Sequence, residues 1–356
     1  MRKRGHQLYL GLGFAVSVLF SPMVLAEKCS NPLSQNGVDA FCGIDAPEDI
    51  VLFEDQFLLI SSMAPAKHLF GFSLASEVVA PIETVLEAVT DGQNWGDASC
   101  SLPSEILSHG LDLSRRESGQ WQLLVVNHHD RESIEYFEVS AGGDDATRLH
   151  WRGCVMAGEN AQFNDVAGLP DGGFIATDPI TASMQLPRML LGSMGMDTGR
   201  VYRWRPESGY SAIPHTDGAY PNGITLSADG RSFYLNLYLD GEVREHDLET
   251  GEILNRVAVN KPDNSALTAD GTLLVASHDA SLYALLKAIT SEAGERNSIA
   301  FEIVEVDLQS FEASVRYRSE GEELGGGTVA MPVGNDLYIG AFKGDRFIRV
   351  RQTNKA

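Results

Sequence analysis

The chain has 356 residues, 43% of them hydrophobic, and carries 27 Lys and Arg against 49 Asp and Glu, a formal charge of −22. So acidic a surface repels nucleic acid and anionic membranes and favours divalent cations, which excludes a nucleic-acid binder. The length provides for an ample core.

Arg2, Lys3 and Arg4 precede an apolar run from Leu8 to Phe20, followed by Pro22 and by Val24-Leu25-Ala26. This pattern predicts a secretory signal peptide over residues 1–26, cut after Ala26. The short run and Pro22 weigh against an uncleaved membrane anchor. Loss of the segment takes the formal charge from −22 to −25. The mature chain, residues 27–356, is expected to form a single domain in the periplasm or outside the cell. No later stretch is apolar enough to span a bilayer. Four cysteines, Cys29, Cys42, Cys100 and Cys154, remain after cleavage. They allow three pairings into two disulfides; the expected one joins Cys29 to Cys42 and Cys100 to Cys154. No Cys-x-x-Cys spacing occurs, so a zinc knuckle or redox motif is not expected.

A first hairpin follows, Ile50-Val51-Leu52-Phe53 and Phe57-Leu58-Leu59-Ile60 around Glu54-Asp55-Gln56. Residues 76 to 108 give no secure strands. Similar turns recur at 118, 171, 229, 270 and 334, too evenly dispersed for a two-domain enzyme and suited to a radial array of four-stranded units. The predicted fold is therefore all-β, a six-bladed β-propeller, with short helical insertions over the channel mouth. One insertion, Pro179 to Gly199, is rich in Met and Leu and is placed between the third and fourth blades. It either covers a blade edge or roofs the channel, and any membrane contact would be through this segment alone. A second helix-like piece, Ser281 to Ala293, interrupts the fifth blade.

Seven residues before four of the turns stand Glu48, Asn164, Asn222 and Asp263, the last with Asn264 beside it. If the turns are equivalent, these residues open the innermost strands and converge on the axis. Hard oxygen donors of this kind select Ca²⁺ over zinc or copper. One residue further along lie Asp49, Asp165 and the backbone carbonyl of Leu111, turned by alternation toward a deeper site. His109 occupies the ligand register in the second blade and should overhang the cation, while His278 is placed at the same mouth. Gly192-Ser193-Met194-Gly195 lacks the first glycine of a nucleophile elbow, and Gly325-Gly326-Gly327 has no Lys for a phosphate loop.

Glu48-Asp49, His109-Gly110-Leu111, Val126-Asn127-His128, Asn164-Asp165, Asn222-Gly223-Ile224, Asp263-Asn264, Ser277-His278 and Gly327-Thr328-Val329-Ala330 appear in an order and spacing that resembles the paraoxonase (arylesterase, lactonase) family. The likeness runs from about Ile44 to Phe342. It implies a six-bladed propeller with two calcium ions. Glu48, Asn164, Asn222, Asp263 and Asn264 would bind the catalytic ion; Asp49, Asp165 and the Leu111 carbonyl would bind the structural one. His109 and His128 would form a histidine dyad that activates water, and Tyr220 would line the substrate pocket. That family joins its terminal segments by a disulfide. Here no cysteine follows Cys154, so strand pairing alone must close the ring. The activity implied is calcium-dependent hydrolysis of lactones or aryl esters, with a small-molecule lactone or ester as the partner. The alternatives are a gluconolactonase-type sugar lactonase and a non-catalytic, calcium-stabilised propeller.

Overall fold

Short runs rich in Val, Ile, Leu and Phe, broken every few residues by Asp, Gly and Asn turns, cannot form long helices and pair instead as hairpins. The computed structural model describes residues 29, 37–64, 69–87, 89, 94–142, 147–158, 160–180 and 185–352. The expected signal peptide, residues 1–26, lies outside them.

A lone N-terminal strand, β1 (Val38–Cys42), comes first. The first blade follows as β2 (Ile50–Phe53), β3 (Phe57–Ile60), β4 (Phe70–Ser73) and β5 (Val79–Pro81). A short strand, β6 (Glu83–Val85), then runs parallel to the outer edge of the second blade, β7 (Ser108–Arg115), β8 (Trp121–Asn127), β9 (Ser133–Ala141) and β10 (Thr147–Met156). The third blade holds β11 (Val166–Gly168), β12 (Phe174–Asp178), helix α1 (Gln185–Gly192), β13 (Arg200–Arg205) and β14 (Gly209–Ala212). The fourth is β15 (Pro221–Leu226), β16 (Ser232–Leu237), β17 (Glu242–Asp247) and β18 (Ile253–Ala258). The fifth is β19 (Pro262–Leu267), β20 (Thr272–Asp279), helix α2 (Leu282–Ile289), β21 (Ala300–Asp307) and β22 (Ala313–Ser319). The sixth is β23 (Gly327–Val333), β24 (Asp336–Ala341) and β25 (Arg346–Arg351), with β1 as its outermost strand. These six sheets are the blades expected from the turn spacing, and each expected turn joins the first two strands of its blade. One expectation fails: Pro179 to Gly199 lies inside the third blade, because β13 pairs with β12 across it.

The blades pack face to face, so the core is a series of wedges between neighbours. Phe53 and Leu59 of the first blade bury against Leu123, Val125, Phe137 and Trp151 of the second. Phe41 and Phe347 of the sixth stack at 5.1 Å, and Phe41 meets Phe72 of the first at 4.7 Å. Two disulfides, Cys29–Cys42 and Cys100–Cys154, match the expected pairing. Neither joins the two ends of the chain.

The ring is closed by β1 lying antiparallel on β25, with Val38 opposite Val350 and Cys42 opposite Arg346. Arg349, 7% exposed, fastens this strand pair to the first blade: its guanidinium donates to Asp39 at 2.5 and 3.0 Å and to Glu77 at 2.7 Å. Removing the cation takes two charge-assisted hydrogen bonds from Asp39, which keeps only Arg351 at 2.6 Å, and one from Glu77. Arg349→Ala is therefore expected to lower unfolding free energy by about 2–4 kcal/mol in urea titrations, with the midpoint moving and the slope unchanged.

Among the described residues no helix is long and apolar enough to cross a membrane.

Candidate metal centre and active site

In every blade the innermost strand starts at one face of the ring, and the second strand returns to that face. The connection between second and third strands therefore overhangs the start of the first, in all six blades. All six connections and the strand starts of the first five blades build one chamber of about 420 Å³. Glu48, His109, Asn164, Asn222 and Asp263 enter its floor from the strand starts. His128, Pro179, Tyr238, His278 and Phe342 stand at or just beyond the ends of the second strands, and helices α1 and α2 contribute Met189, Leu285 and Ile289. Of the two readings of Pro179 to Gly199, the roof is therefore the one observed: Pro179, Ile180 and Met189 wall the chamber.

The floor residues are aimed by a repeated backbone irregularity. In the second, fourth, fifth and sixth blades the pairing of the first two strands slips by one residue, between Ser108 and Leu111, Pro221 and Ile224, Pro262 and Ser265, and Gly327 and Ala330. Such bulges turn a side chain out of the alternating pattern. They also bring neighbouring blades very close. A Cβ on Gly110 would lie 2.6 Å from the Asn164 carbonyl oxygen, and one on Gly223 2.5 Å from that of Asp263, so only glycine fits after His109 and Asn222. Two positions before three of the donors, Ala46, Tyr220 and Lys261 adopt left-handed backbone angles, at φ 48°, 62° and 41°. Strain of this sort costs on the order of 1 kcal/mol or more per residue and persists where surrounding structure enforces it.

Four of the five side chains expected to bind the upper ion carry a buried oxygen without a hydrogen-bond partner: Glu48 Oε2, Asn164 Oδ1, Asn222 Oδ1 and Asn264 Oδ1. Orphaned buried oxygens are costly, and a group of them facing one axis matches what a hard cation requires. The remaining contacts hold the set in place. Asn264 Nδ2 donates to Glu48 Oε1 at 2.7 Å, Asn222 hydrogen-bonds Asp263, and Asn236 Nδ2 donates to the Asp263 carbonyl at 2.5 Å. Among the described residues no three His, Cys, Asp or Glu side chains sit close enough to hold a metal by themselves, so any donor set here is necessarily mixed with amides. Burial raises the carboxyl group of Asp263 to about 8; burial, then Asp49, Asp263 and Asp165, push that of Glu48 well above its usual range. A divalent ion would relieve both.

The deeper set faces the opposite end of the channel, in a second cavity of about 560 Å³ that Asn264 also lines. Its carboxylates clip neighbouring blades together. Asp49 accepts from Ile50 N–H at 2.8 Å and from Leu111 N–H at 2.7 Å; Asp165 accepts from Val166 N–H and Ile224 N–H, both at 2.8 Å. It is thus the amide of Leu111 that meets Asp49. Each carboxylate oxygen retains a further lone pair for a cation.

The two histidines expected to cooperate are brought together: His109 Nδ1 and His128 Nε2 lie 2.9 Å apart, and His109 Nε2 lies 3.8 Å from Glu48 Oε1. Burial, with His128 adding to it, holds the His109 imidazole well below its usual pKa, hence neutral. Glu132, which the sequence did not single out, accepts from His128 Nδ1 at 2.7 Å and lines the chamber. Across the floor His278, 1% exposed, contacts the Gly327 carbonyl through Nε2 and the Tyr238 hydroxyl through Nδ1, both at 2.9 Å. Tyr220 stacks obliquely on Tyr238 at 5.8 Å. Tyr238, too, escaped sequence reasoning; its register, first residue after a second strand as for His128 and Phe342, is the signal that marks it.

Fold and floor together define a class: six-bladed propellers with an axial oxygen-donor set beneath a closed-over chamber. The family model described as the SMP-30/gluconolactonase/LRE-like region matches residues 118–288, just under half of the chain. Similar solved structures include a luciferin-regenerating enzyme, with 14% identity, coverage of 88% of this chain and 93% of that one, and a TM-score of 0.53. A gluconolactonase from Xanthomonas campestris follows, at 15% identity with 88% of each chain covered and a TM-score of 0.51. A putative gluconolactonase gives 15%, coverage of 92% and 97%, and 0.51. At these identities the likeness speaks for the fold. No curated protein matches the chain.

Proposed function

We propose that this protein is a calcium-dependent hydrolase of lactones, with activated aryl esters as secondary substrates. The reading is carried by one coincidence: buried, unsatisfied oxygens of Glu48, Asn164 and Asn222 line the same chamber as the hydrogen-bonded pair His109 and His128. Glu48, Asn164, Asn222, Asp263 and Asn264 are the residues that would hold the upper ion, and Asp49 and Asp165 a deeper one. When bound, the upper ion supplies Lewis-acid polarisation of the substrate carbonyl, an effect worth several kcal/mol.

The chain's own part begins with the walls. Met63, Phe163, Ile180, Met189, Leu285 and Phe342 present an apolar surface to the substrate's tail and exclude bulk water. His109, with His128 behind it, takes a proton from a water molecule as that water's oxygen bonds to the carbonyl carbon. The resulting adduct collapses with cleavage of the ring C–O bond, and His109 returns the proton to the departing alkoxide. A hydroxy acid leaves.

The match to the gluconolactonase-like family model favours a second reading, a sugar lactone as substrate. The apolar walls favour the first. Turnover of alkyl-substituted γ- and δ-lactones, gluconolactone and phenyl acetate, each with and without chelator, separates them. The expected order in kcat/KM is alkyl lactone, then phenyl acetate, then gluconolactone. Gluconolactone in first place would shift the assignment to a sugar lactonase, and no turnover of any of them, with calcium still raising the melting temperature, would make the protein a binding propeller.

Two disulfides support a periplasmic or extracellular setting. On the outward side of the α1 segment Leu190, Leu191, Met194 and Met196 are exposed, and any contact with a lipid surface would run through residues 179–199 alone.

A further inference from the structure

Five polar residues in succession, His128-His129-Asp130-Arg131-Glu132, connect β8 to β9. Three of them are engaged away from the chamber. His129 Nε2 pairs with Glu105 at 3.1 Å, Asp130 accepts from Ser104 Oγ at 2.8 Å, and Arg131 donates through Nε and Nη2 to the fully buried Glu135 at 3.1 and 2.7 Å. The loop is tied at its start as well. Asn127 Oδ1 accepts from Leu107 N–H at 2.9 Å and from His129 N–H at 3.1 Å, and His128 N–H donates to the Leu107 carbonyl at 3.1 Å. Of the five, only His128 and Glu132 line the chamber, and they face one another.

We propose that Glu132 is a positioning residue that sets which nitrogen of His109 carries the lone pair. An ionised carboxylate can only accept a hydrogen bond, so the 2.7 Å contact requires the proton of His128 on Nδ1. A neutral His128 then has a bare Nε2, which must accept from Nδ1–H of His109 across 2.9 Å. That leaves the bare nitrogen of His109 at Nε2, the one turned toward Glu48 and the channel axis. Without Glu132 the pair has no such direction: the hydrogen bond between the rings can reverse, leaving Nε2–H on His109 and nothing to accept a proton from water. The histidine pair is competent in one of its two tautomeric arrangements, and Glu132 selects it.

This inference rests on the hydrolytic reading for its kinetic consequence, but the tautomer can be observed without turnover. Long-range ¹H–¹⁵N spectra of histidine-labelled, calcium-loaded protein should show His128 as the Nδ1–H form in the wild type and in Glu105→Gln, whose pair with His129 lies outside the chamber. Glu132→Ala should show a mixed or Nε2–H form, and Glu132→Gln, whose amide oxygen still accepts, should keep the wild-type form. In lactone hydrolysis kcat should fall about 10- to 100-fold in Glu132→Ala at little-changed KM, as for loss of an orienting partner, with partial recovery in Glu132→Gln. A wild-type His128 protonated on Nε2, alone or on both nitrogens, overturns the proposal, as does Glu132→Ala with unaltered tautomer and kcat. Absence of any hydrolysis by the wild type, with His128 still in the Nδ1–H form, would instead sink the hydrolytic reading and leave the tautomer assignment standing.

Discussion

Removal of calcium by a chelator is expected to abolish turnover and to lower the melting temperature by roughly 10 °C, the scale set by a ligand present at about a thousand times its dissociation constant. The reason is the charge on the axis. Glu48, Asp49, Asp165 and Asp263 are buried within one channel, and without a cation burial holds the carboxyls of Asp49 and Asp263 up at about 6 and about 8. Burial, with Asp49 adding to it, pushes Asp165 up as well. The sign follows from the proton count. Between the unfolded-state value near 4 and the folded value near 8, the native state binds a proton at Asp263 that the unfolded chain does not, so stability falls as pH rises across that window. Metal-free protein should therefore melt lower at pH 8 than at pH 5, with Asp49 contributing only up to about 6. Calcium displaces these protons, so the loaded protein should show a much flatter profile and a calcium affinity that increases with pH. Scanning calorimetry of both forms measures the two slopes; a chelated protein as stable at pH 8 as at pH 5 would mean that the axial carboxylates are not the groups the ion relieves.

The blade count was legible in the sequence because the turn between first and second strands demands Asp, Gly or Asn at a fixed distance from the axial donor. Asp55, Asp171, Asp229 and Asp270 each stand seven residues after such a donor. Outer strands were not legible. β18, Ile253–Ala258, has Leu254, Asn255 and Arg256 exposed, and β22, Ala313–Ser319, has its first four residues exposed, so burial imposes little pattern on them. The closing strand β1 finds its partner more than 300 positions away, a pairing no local signal encodes. Pro179 to Gly199 carries no strand pattern that ties it to either neighbouring blade; only the pairing of β12 with β13 shows that the third blade continues beyond it. The site divides along the same line. Floor residues repeat with the strands and could be found by register. Tyr238 and Phe342 share a register with His128, but one that shows only once the ends of the second strands are known, and Glu132 sits deeper in a connection, where a carboxylate has many ordinary reasons to occur.

His109→Gln is expected to reduce kcat/KM for a lactone by about 10²- to 10⁴-fold, the usual range for loss of a general base, while leaving the melting temperature within about 2 °C. The donor oxygens of Asn164, Asn222 and Asn264 are untouched by this change, and Gly110, whose close approach to Asn164 fixes the blade spacing, is retained. Calcium affinity should therefore persist, and isothermal titration should return a dissociation constant within a factor of about three, under 1 kcal/mol. The contrast is with Glu48 and Asp263, which also lie on the chamber floor and, ionised once a divalent cation is bound, would have the negative charge a base needs. If either of them took the proton from water, His109→Gln would hydrolyse lactone at nearly the full rate, since the carboxylates and the ion remain. Glu48→Gln cannot make that distinction, because it removes a metal donor and a candidate base together. The decisive comparison is thus the pair of measurements on His109→Gln, rate and calcium binding. Loss of rate at intact affinity assigns the proton transfer to the imidazole, and intact rate assigns it to a carboxylate.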